Sequence, residues 1–268
     1  MSAVDSLPNL LDLYRVVRPL DRGAATDRTL VKHVEKQSSH VAHRLVATES
    51  LSAPEQVVMA SELSSVRAAH VAPIEAVVRA EGDRVAIVTP YFGHSSGQVT
   101  LETLAGSRGS RLTAEEVEAA ADHILHALDD MHGARLYNGP LTASQVLVDR
   151  QGRIQIEQFG WGRFAKKGTR GARIAREDEI RAEVRSVMEL LFRSLTGLDS
   201  RTMGVSPGQV VSSLDPFLDA WISEGLKEGA GFESAAAARA ALPEHQRQAH
   251  PAPGGMLRSI GRLLRIGS

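Results

Sequence analysis

The order of strand and helix patterns along the chain constrains the fold more than any other feature of the sequence. One amphipathic helix pattern, at 54–69, lies between the third and fourth strand patterns, and helical patterns dominate after Pro90. The strand patterns of the first 90 residues fall at 14–20, 29–34, 40–47, 71–80 and 84–89. An α+β chain is therefore predicted, with its main sheet at the start and its helices in the remainder.

The composition excludes several classes of protein. The chain has no cysteine, which rules out a disulfide scaffold and a cysteine-ligated zinc or iron–sulfur centre. Only 4% of the residues are aromatic, and no basic stripe interleaves with them, so a nucleic-acid partner is not expected. No apolar run approaches the ~20 residues of a spanning helix, and 1–11 lacks the basic start of a signal peptide. A cytoplasmic protein is predicted.

The second part of the chain contains the best-defined helix. Thr113 and Glu116 have the spacing of a capping box, and an apolar stripe follows from Val117 to Met131. A short hairpin pattern at 145–156 comes next. Further helices are predicted at 177–196, 214–227 and 232–242.

This succession of elements, together with several local motifs, resembles the protein kinase-like superfamily. The stretch from Ala127 to His132, followed by 141–149, is similar to the kinase catalytic loop and the strand after it. Gln158-Phe159-Gly160 stands where the family has Asp-Phe-Gly, and 184–197 resembles the central helix of the C-lobe with its closing Thr-Gly. Each motif is degraded, so the resemblance depends on their order and spacing.

The resemblance implies a bilobal kinase-like fold, with a five-stranded N-lobe carrying one helix and a mostly helical, shortened C-lobe. It resembles the bacterial Ser/Thr kinase-like families most. The implied boundaries are a lead-in at 1–13, an N-lobe at 14–90, a C-lobe at 91–242 and a basic tail at 243–268. No acidic residue follows Glu244, so this tail is strongly basic.

The same resemblance locates the nucleotide-binding positions in the N-lobe. In the glycine-rich loop only Gly23 remains, with Asp21 and Thr26 at the other two glycine positions. The stretch Val-Ala-His-Arg at 41–44 is similar to Val-Ala-Ile-Lys and places Arg44 at the position of the lysine. Its acidic partner on the helix would be replaced by Met59, and Glu62 lies nearly one turn away. Arg44 is expected to be solvated, with an ion pair to Glu62 as the alternative.

The catalytic positions carry residues that lack the family's chemistry. By the resemblance, Pro140 replaces the catalytic aspartate, Asn138 the preceding histidine and Thr142 the catalytic-loop lysine. Gln145 and Gln158 stand at the two metal-ligating positions, where neutral amides replace a site that depends on carboxylate.

These replacements predict a catalytically inactive pseudokinase that is not an enzyme and uses no cofactor or metal. Strand alternation is expected to turn Glu157 away from the cleft, so that it does not restore a metal site. Only 22 residues separate Gly160 from Glu183, where the family's helix-capping aspartate would lie, so the substrate platform is short. His123, His126 and His132 are expected to face solvent or loops, although a metal site at their spacing is conceivable.

The predicted function is a protein-binding scaffold or allosteric regulatory module with an unidentified protein partner. The alternatives are an atypical nucleotide-binding transferase and a peripheral membrane adaptor. The adaptor would bind an anionic membrane or an acidic groove through the tail, which has a short amphipathic helix pattern. The candidate interaction residues lie in a basic loop and in this tail: Lys166, Lys167, Arg170, Arg173, Leu257, Arg258, Arg262, Leu263 and Arg265.

Overall fold

A computed structural model describes most of the chain. The described residues are 4–20, 26–45, 52–82, 84–93, 97–107, 109, 111–160, 176–200, 204–243 and 245. Two lobes follow one another along the sequence, an N-lobe built on a sheet and a C-lobe built on helices. Each described helix is too short or too polar to serve as a transmembrane span.

The N-lobe contains one antiparallel five-stranded sheet with the strand order β1-β2-β3-β5-β4. Its strands are β1 (Tyr14–Pro19), β2 (Thr26–His33), β3 (Ser39–Leu45), β4 (Ala76–Ala80) and β5 (Arg84–Pro90). A short helix, α1 (Leu10–Leu13), precedes the sheet, and α2 (Ala53–Ser64) connects β3 to β4. The five predicted strands and the helix predicted between the third and fourth are confirmed, whereas the sequence pattern does not show α1.

The two faces of this sheet have different cores. The inner face, with Leu45, Val85 and Ile87, packs against α2 through Met59 and Leu63. The outer face, which includes Val31, Ala42 and Val88, packs against Leu10 and Tyr14 at the start of the lobe. Because side chains alternate along a strand, neighbouring residues of β3 belong to different cores.

The strand predicted at 71–80 begins later, at Ala76, because the preceding segment is bound to the C-lobe. The amide of Ala72 donates to the carbonyl of Ile156 at 2.9 Å, and the amide of Ile156 donates to the carbonyl of His70 at 2.7 Å. The Ala69 amide also donates to the Asp130 carboxylate at 2.8 Å. These bonds join the two lobes behind the cleft.

The C-lobe consists of helices around a small three-stranded sheet with the order β6-β7-β8. The strands are β6 (Val99–Thr100), β7 (Val146–Val148) and β8 (Ile154–Ile156). The helices are α3 (Leu101–Ser107), α4 (Ala114–Gly133), α5 (Arg176–Thr196), α6 (Pro207–Val210), α7 (Pro216–Gly225) and α8 (Ala235–Ala240). The predicted hairpin and four predicted helices are confirmed, whereas the sequence pattern does not show β6, α3 or α6.

Helix α4 begins where the capping box predicts. The amide of Glu116 donates to Oγ1 of Thr113 at 3.2 Å, and the Thr113 amide donates to the Glu116 carboxylate at 2.9 Å. The predicted apolar stripe from Val117 to Met131 is buried against α5 and α8. The central C-lobe core therefore depends on a helix whose start is set by local sequence.

Replacing Thr113 by Ala should lower the free energy of unfolding by about 1 kcal/mol, because the first turn of α4 loses a side-chain acceptor. Urea denaturation of the two proteins measures the difference. Thr113→Ser keeps the acceptor and is the matched control. Equal stability of the wild type and the Ala variant would show that this cap contributes nothing.

Candidate functional site

The register of the N-lobe sheet decides which side chains face the cleft between the lobes. Residues opposite one another in an antiparallel pair share a face of the sheet. Arg28 pairs with His43, and His43 pairs with Ile87, so these three lie on the inner face with Thr26 and Thr89. Each of the five is buried. The inner face therefore brings polar and charged side chains into the cleft.

Arg44 does not face the cleft, which corrects its assignment to the lysine position. It lies on the outer face of β3, where it lines a cavity with Leu10 and Val16. His43 occupies the corresponding inner position instead, because it alternates with the buried Val41 and Leu45. The alternative pair of Arg44 with Glu62 is excluded by the same geometry, since α2 packs on the opposite face of the sheet.

Glu157 faces the cleft, contrary to the prediction from strand alternation. Strand β8 ends at Ile156, and Gln158 has a φ of 55°, so the extended alternation stops before these two residues. Both side chains are buried and make contacts with the N-lobe. This turn after β8 brings a carboxylate and an amide into the cleft together.

The carboxylate of Glu157 forms a buried ion pair with Arg28. Nη2 of Arg28 lies 3.5 Å from Oε2 of Glu157, and both side chains are almost fully buried. Gln98 bridges them, since its amide nitrogen donates to Glu157 at 3.4 Å and its carbonyl oxygen accepts from Arg28. A cation on β2 is thus tied to a carboxylate of the C-lobe across the cleft.

His43 and Gln158 form the second half of this polar network. Nε2 of Gln158 donates to Thr26 at 2.7 Å and to Nδ1 of His43 at 3.0 Å. Because Nδ1 accepts a hydrogen bond, the ring proton lies on Nε2, which is 3.0 Å from Oγ1 of Thr89. We refer to Thr26, Arg28, His43, Thr89, Gln98, Glu157 and Gln158 together as the cleft network.

Burial changes the proton affinities within the cleft network. Loss of solvent, reinforced by the nearby Arg28, lowers the pKa of His43 to about 3, so this ring is neutral. Its 3.8 Å approach to Glu157 is therefore a contact and not an ion pair. Burial also raises the pKa of Glu157, although Arg28 and the hydrogen bond from Gln98 act in the opposite direction.

The loop that follows α4 keeps a well-bonded backbone. Glu183 of α5 accepts from the Gly139 amide at 2.6 Å and bonds Nε2 of His132 at 2.9 Å. Oδ1 of Asn138 accepts from the amide of Gly160 at 2.9 Å. The loop, α5 and the turn after Gln158 are therefore held in a fixed arrangement.

The side chains at the predicted catalytic positions do not converge on a reacting centre. Pro140 is exposed and offers neither a proton acceptor nor a charge. Gln145 turns back into its own loop, where its carbonyl oxygen accepts from the amide and the hydroxyl of Thr142 at 3.2 and 3.1 Å. Oδ1 of Asn138 accepts a hydrogen bond from the amide of Gly160.

The two metal-ligating positions implied by the resemblance do not fit a divalent cation. The amides of Gln145 and Gln158 are already hydrogen-bonded, and the nearest carboxylate, Glu157, is paired with Arg28. Hard cations such as Mg²⁺ require oxygen ligands, preferably carboxylates. Within the part of the chain that is described, no three His, Asp or Glu side chains are arranged to hold a metal ion.

Two small cavities lie between the described residues of the cleft. A cavity of about 210 Å³ lies at its front, lined by Arg18, Arg28, Gln98 and Ser144 among others. A second cavity of about 130 Å³ lies behind it, next to Leu63. Small-molecule sites usually measure about 300 to 1,000 Å³. Each of these two cavities, as bounded by the described residues, is smaller than that range.

The three histidines considered as a metal site have other roles. His132 is buried against Glu183, which corrects the expectation that it faces solvent or a loop. The ring of His123 stacks on His70 with centroids 4.2 Å apart, and His126 lies 5.6 Å from His70. Burial and the neighbouring His70 lower the pKa of His123. The rings of His70, His123 and His126 therefore pack α4 against the segment behind the cleft.

Several predicted positions lie outside the described residues. Asp21 and Gly23 of the glycine-rich loop belong to this group, whereas Thr26 is described and accepts from Gln158. The candidate interaction residues of the basic loop and of the tail also lie outside: Lys166, Lys167, Arg170, Arg173, Leu257, Arg258, Arg262, Leu263 and Arg265.

Comparison with known proteins finds similarity only at the level of structure. No family model and no curated protein matches the chain. The kinase domain of PknI from Mycobacterium tuberculosis superposes with a TM-score of 0.66 at 18% identity, covering 87% of this chain and 95% of that domain. The chain has the bilobal protein kinase-like fold. A double mutant of the PknI domain gives 0.69 at 18% identity, with 87% and 96% covered.

This comparison corrects the prediction that the chain is not an enzyme. All five of the PknI structures compared with it are of kinase domains, so the fold gives no ground for excluding an enzyme. At 18–19% identity the likeness itself establishes the fold alone. The prediction of no enzymatic activity is therefore withdrawn.

Sequence reasoning missed most of the cleft network. Arg28, Thr89 and Gln98 carry no motif, and their partners lie far away in sequence, since Arg28 and Gln98 are 70 positions apart. One signal could have located His43: the alternation of Val41, His43 and Leu45 on an otherwise apolar face. The similarity of 41–44 to Val-Ala-Ile-Lys obscured this signal, because it assigned the lysine position to Arg44 and not to His43.

Proposed function

We propose that this kinase-like domain is a regulatory module that binds a protein partner, with its cleft held closed by its own side chains. The observation that carries the proposal is the Arg28–Glu157 ion pair, which connects the two lobes where a kinase-like domain would admit its nucleotide. A domain whose cleft is internally bonded presents a rigid surface to a partner. The well-bonded loop around Asn138 and Glu183 adds to this rigidity.

A second candidate is a phosphotransferase. The kinase identity of the structural neighbours favours it. In this candidate the cleft network opens before nucleotide enters, which requires the Arg28–Glu157 pair and the bonds of Gln158 to separate. A divalent cation would then need ligands in addition to the amides of Gln145 and Gln158, because these two neutral amides do not hold it by themselves.

Capture of proteins from the native cell by the full chain, followed by titration with the purified partner, tests the first candidate. We expect a saturable complex of fixed stoichiometry that forms without nucleotide. The titration is repeated with Arg15→Gln as a control for nonspecific charge effects, because Arg15 is exposed on an edge strand. A captured protein that fails to bind when purified would count against the regulatory proposal.

Transfer of labelled phosphate from ATP to a generic protein substrate tests the second candidate. Transfer that persists in the wild type, and disappears when Gln158 is replaced by Ala, would establish phosphotransfer through the cleft. Transfer that is indifferent to Gln158 would indicate a contaminating kinase. A chain that transfers phosphate without any stable partner would replace the regulatory proposal.

A further inference from the structure

A cavity larger than the two in the cleft lies on the outer face of the N-lobe sheet. It measures about 580 Å³ and is bounded by α1 on one side and by β1 to β4 below. This volume is within the ~300 to 1,000 Å³ of sites that bind small molecules. Neither the cleft network nor the proposed function uses this cavity.

The walls of the cavity are mainly apolar. Leu10, Ala42 and Ala80 form its floor and are buried, whereas Leu11 and Val16 stand at its rim. Leu11 is 65% exposed and Val16 is 49% exposed, so both present apolar surface to solvent at the mouth of the cavity. An apolar occupant would cover both side chains.

One cation, the half-buried Arg44, lines this apolar cavity. Nε of Arg44 is buried and has no hydrogen-bond partner among the described residues. Asp27 lies opposite Arg44 in the β2–β3 pair but does not line the cavity. Glu81 also lines the cavity, but it is exposed in the turn that follows β4. Strand β5 separates β4 from β3, which carries Arg44. The described lining of the cavity therefore has its one cation, Arg44, on β3 and its one carboxylate, Glu81, after β4, a different strand of the sheet.

We propose that this cavity binds an acyl carboxylate, a ligand with one anionic head and an apolar chain. The guanidinium of Arg44 presents donors in a planar fork that matches a carboxylate, so the head lies against Arg44. The chain then covers Ala42 and Ala80 and reaches the exposed Leu11 and Val16. The proposal is independent of the proposed function, because it concerns the other face of the sheet.

Thermal unfolding and calorimetric titration of the full chain with dodecanoate, below its micelle concentration, test the proposal. We expect a saturable rise in the unfolding midpoint and one binding site. Arg44→Gln should weaken dodecanoate binding at least tenfold, while Arg44→Lys, which keeps the charge, should retain part of it. Arg15→Gln removes an exposed arginine of β1 that does not line the cavity, and should bind as the wild type does.

Two further probes measure separately what the carboxylate and the apolar chain of the ligand contribute to binding. Dodecan-1-ol has the chain without the charge, and butanoate has the charge without the long chain, so each should bind at least tenfold more weakly than dodecanoate. Three results would overturn the proposal: no saturable binding of dodecanoate, equal binding to the wild type and Arg44→Gln, or equal binding of dodecan-1-ol. Because Arg44 is only partly buried and forms no ion pair with a described residue, the ligand-free Arg44→Gln variant is expected to fold.

Discussion

Replacing Arg28 by Met should lower the free energy of unfolding by about 3 to 5 kcal/mol, because the carboxylate of Glu157 stays buried without its cation. Met has a similar length and leaves no large cavity, so the loss reports the charge rather than packing. A lone buried carboxylate takes up a proton more easily, and burial already raises the pKa of Glu157. The loss should therefore become smaller as the pH falls.

A double-mutant cycle identifies the pair as the cause. Glu157→Gln alone leaves Arg28 buried without a counter-charge, whereas the double variant Arg28→Met, Glu157→Gln has no buried charge and should recover at least about 2 kcal/mol. Arg18→Met, at the exposed rim of the front cavity, is the matched control and should change stability by less than about 0.5 kcal/mol. Additive single and double effects in urea denaturation would mean that Arg28 and Glu157 do not interact.

Lowering the pH from about 7 to about 5 should destabilise the folded chain by up to about 2 kcal/mol through His43. The pKa of His43 is lowered to about 3 from an ordinary value of 6.5, so below pH 6.5 the unfolded chain binds a proton that the folded chain does not. Stability from this group is complete above pH 6.5 and decreases as the pH falls toward 3. The raised pKa of Glu157 acts in the opposite direction and offsets part of the loss.

His43→Gln should flatten this pH dependence, because an amide offers an acceptor and a donor without titrating. The free energy of unfolding is measured by urea denaturation of both proteins at several pH values. The same substitution at His126, whose side chain is 34% exposed outside the cleft, controls for the loss of a histidine as such. If His43→Gln and the wild type lose stability in parallel as the pH falls, His43 is not held neutral by the cleft.

The local elements of the fold could be predicted from the sequence because short-range patterns determine them. The capping box at Thr113, the apolar stripe of α4 and the hairpin that ends at Ile156 all depend on residues close together in the chain. The α+β class and the succession of five strands and one helix followed from equally local strand and helix patterns in the first 90 residues. The bilobal arrangement additionally needed the resemblance, which the structural comparison supports for the fold.

The candidate site could be predicted only in part, since long-range geometry forms it. The motif placed Arg44 in the cleft, but strand register turns it to the outer face and brings His43 in. Strand alternation predicted that Glu157 lies outside the cleft. The regular strand ends before Glu157, however, and Gln158 has a left-handed φ, so alternation does not hold for these two residues. Arg28 and Glu157 meet only after the two lobes have packed, and no local pattern encodes that contact.

The unfolding midpoint of the full wild-type chain with about 1 mM ATP, alone and with Mg²⁺, tests most directly whether the cleft network keeps nucleotide out. We expect a change of less than about 1 °C in either condition, because the described cavities of the cleft are too small for a nucleotide and the metal positions do not fit Mg²⁺. A magnesium-dependent rise of about 5 °C or more, the size expected for ~10 μM affinity, would contradict a closed cleft and favour the phosphotransferase.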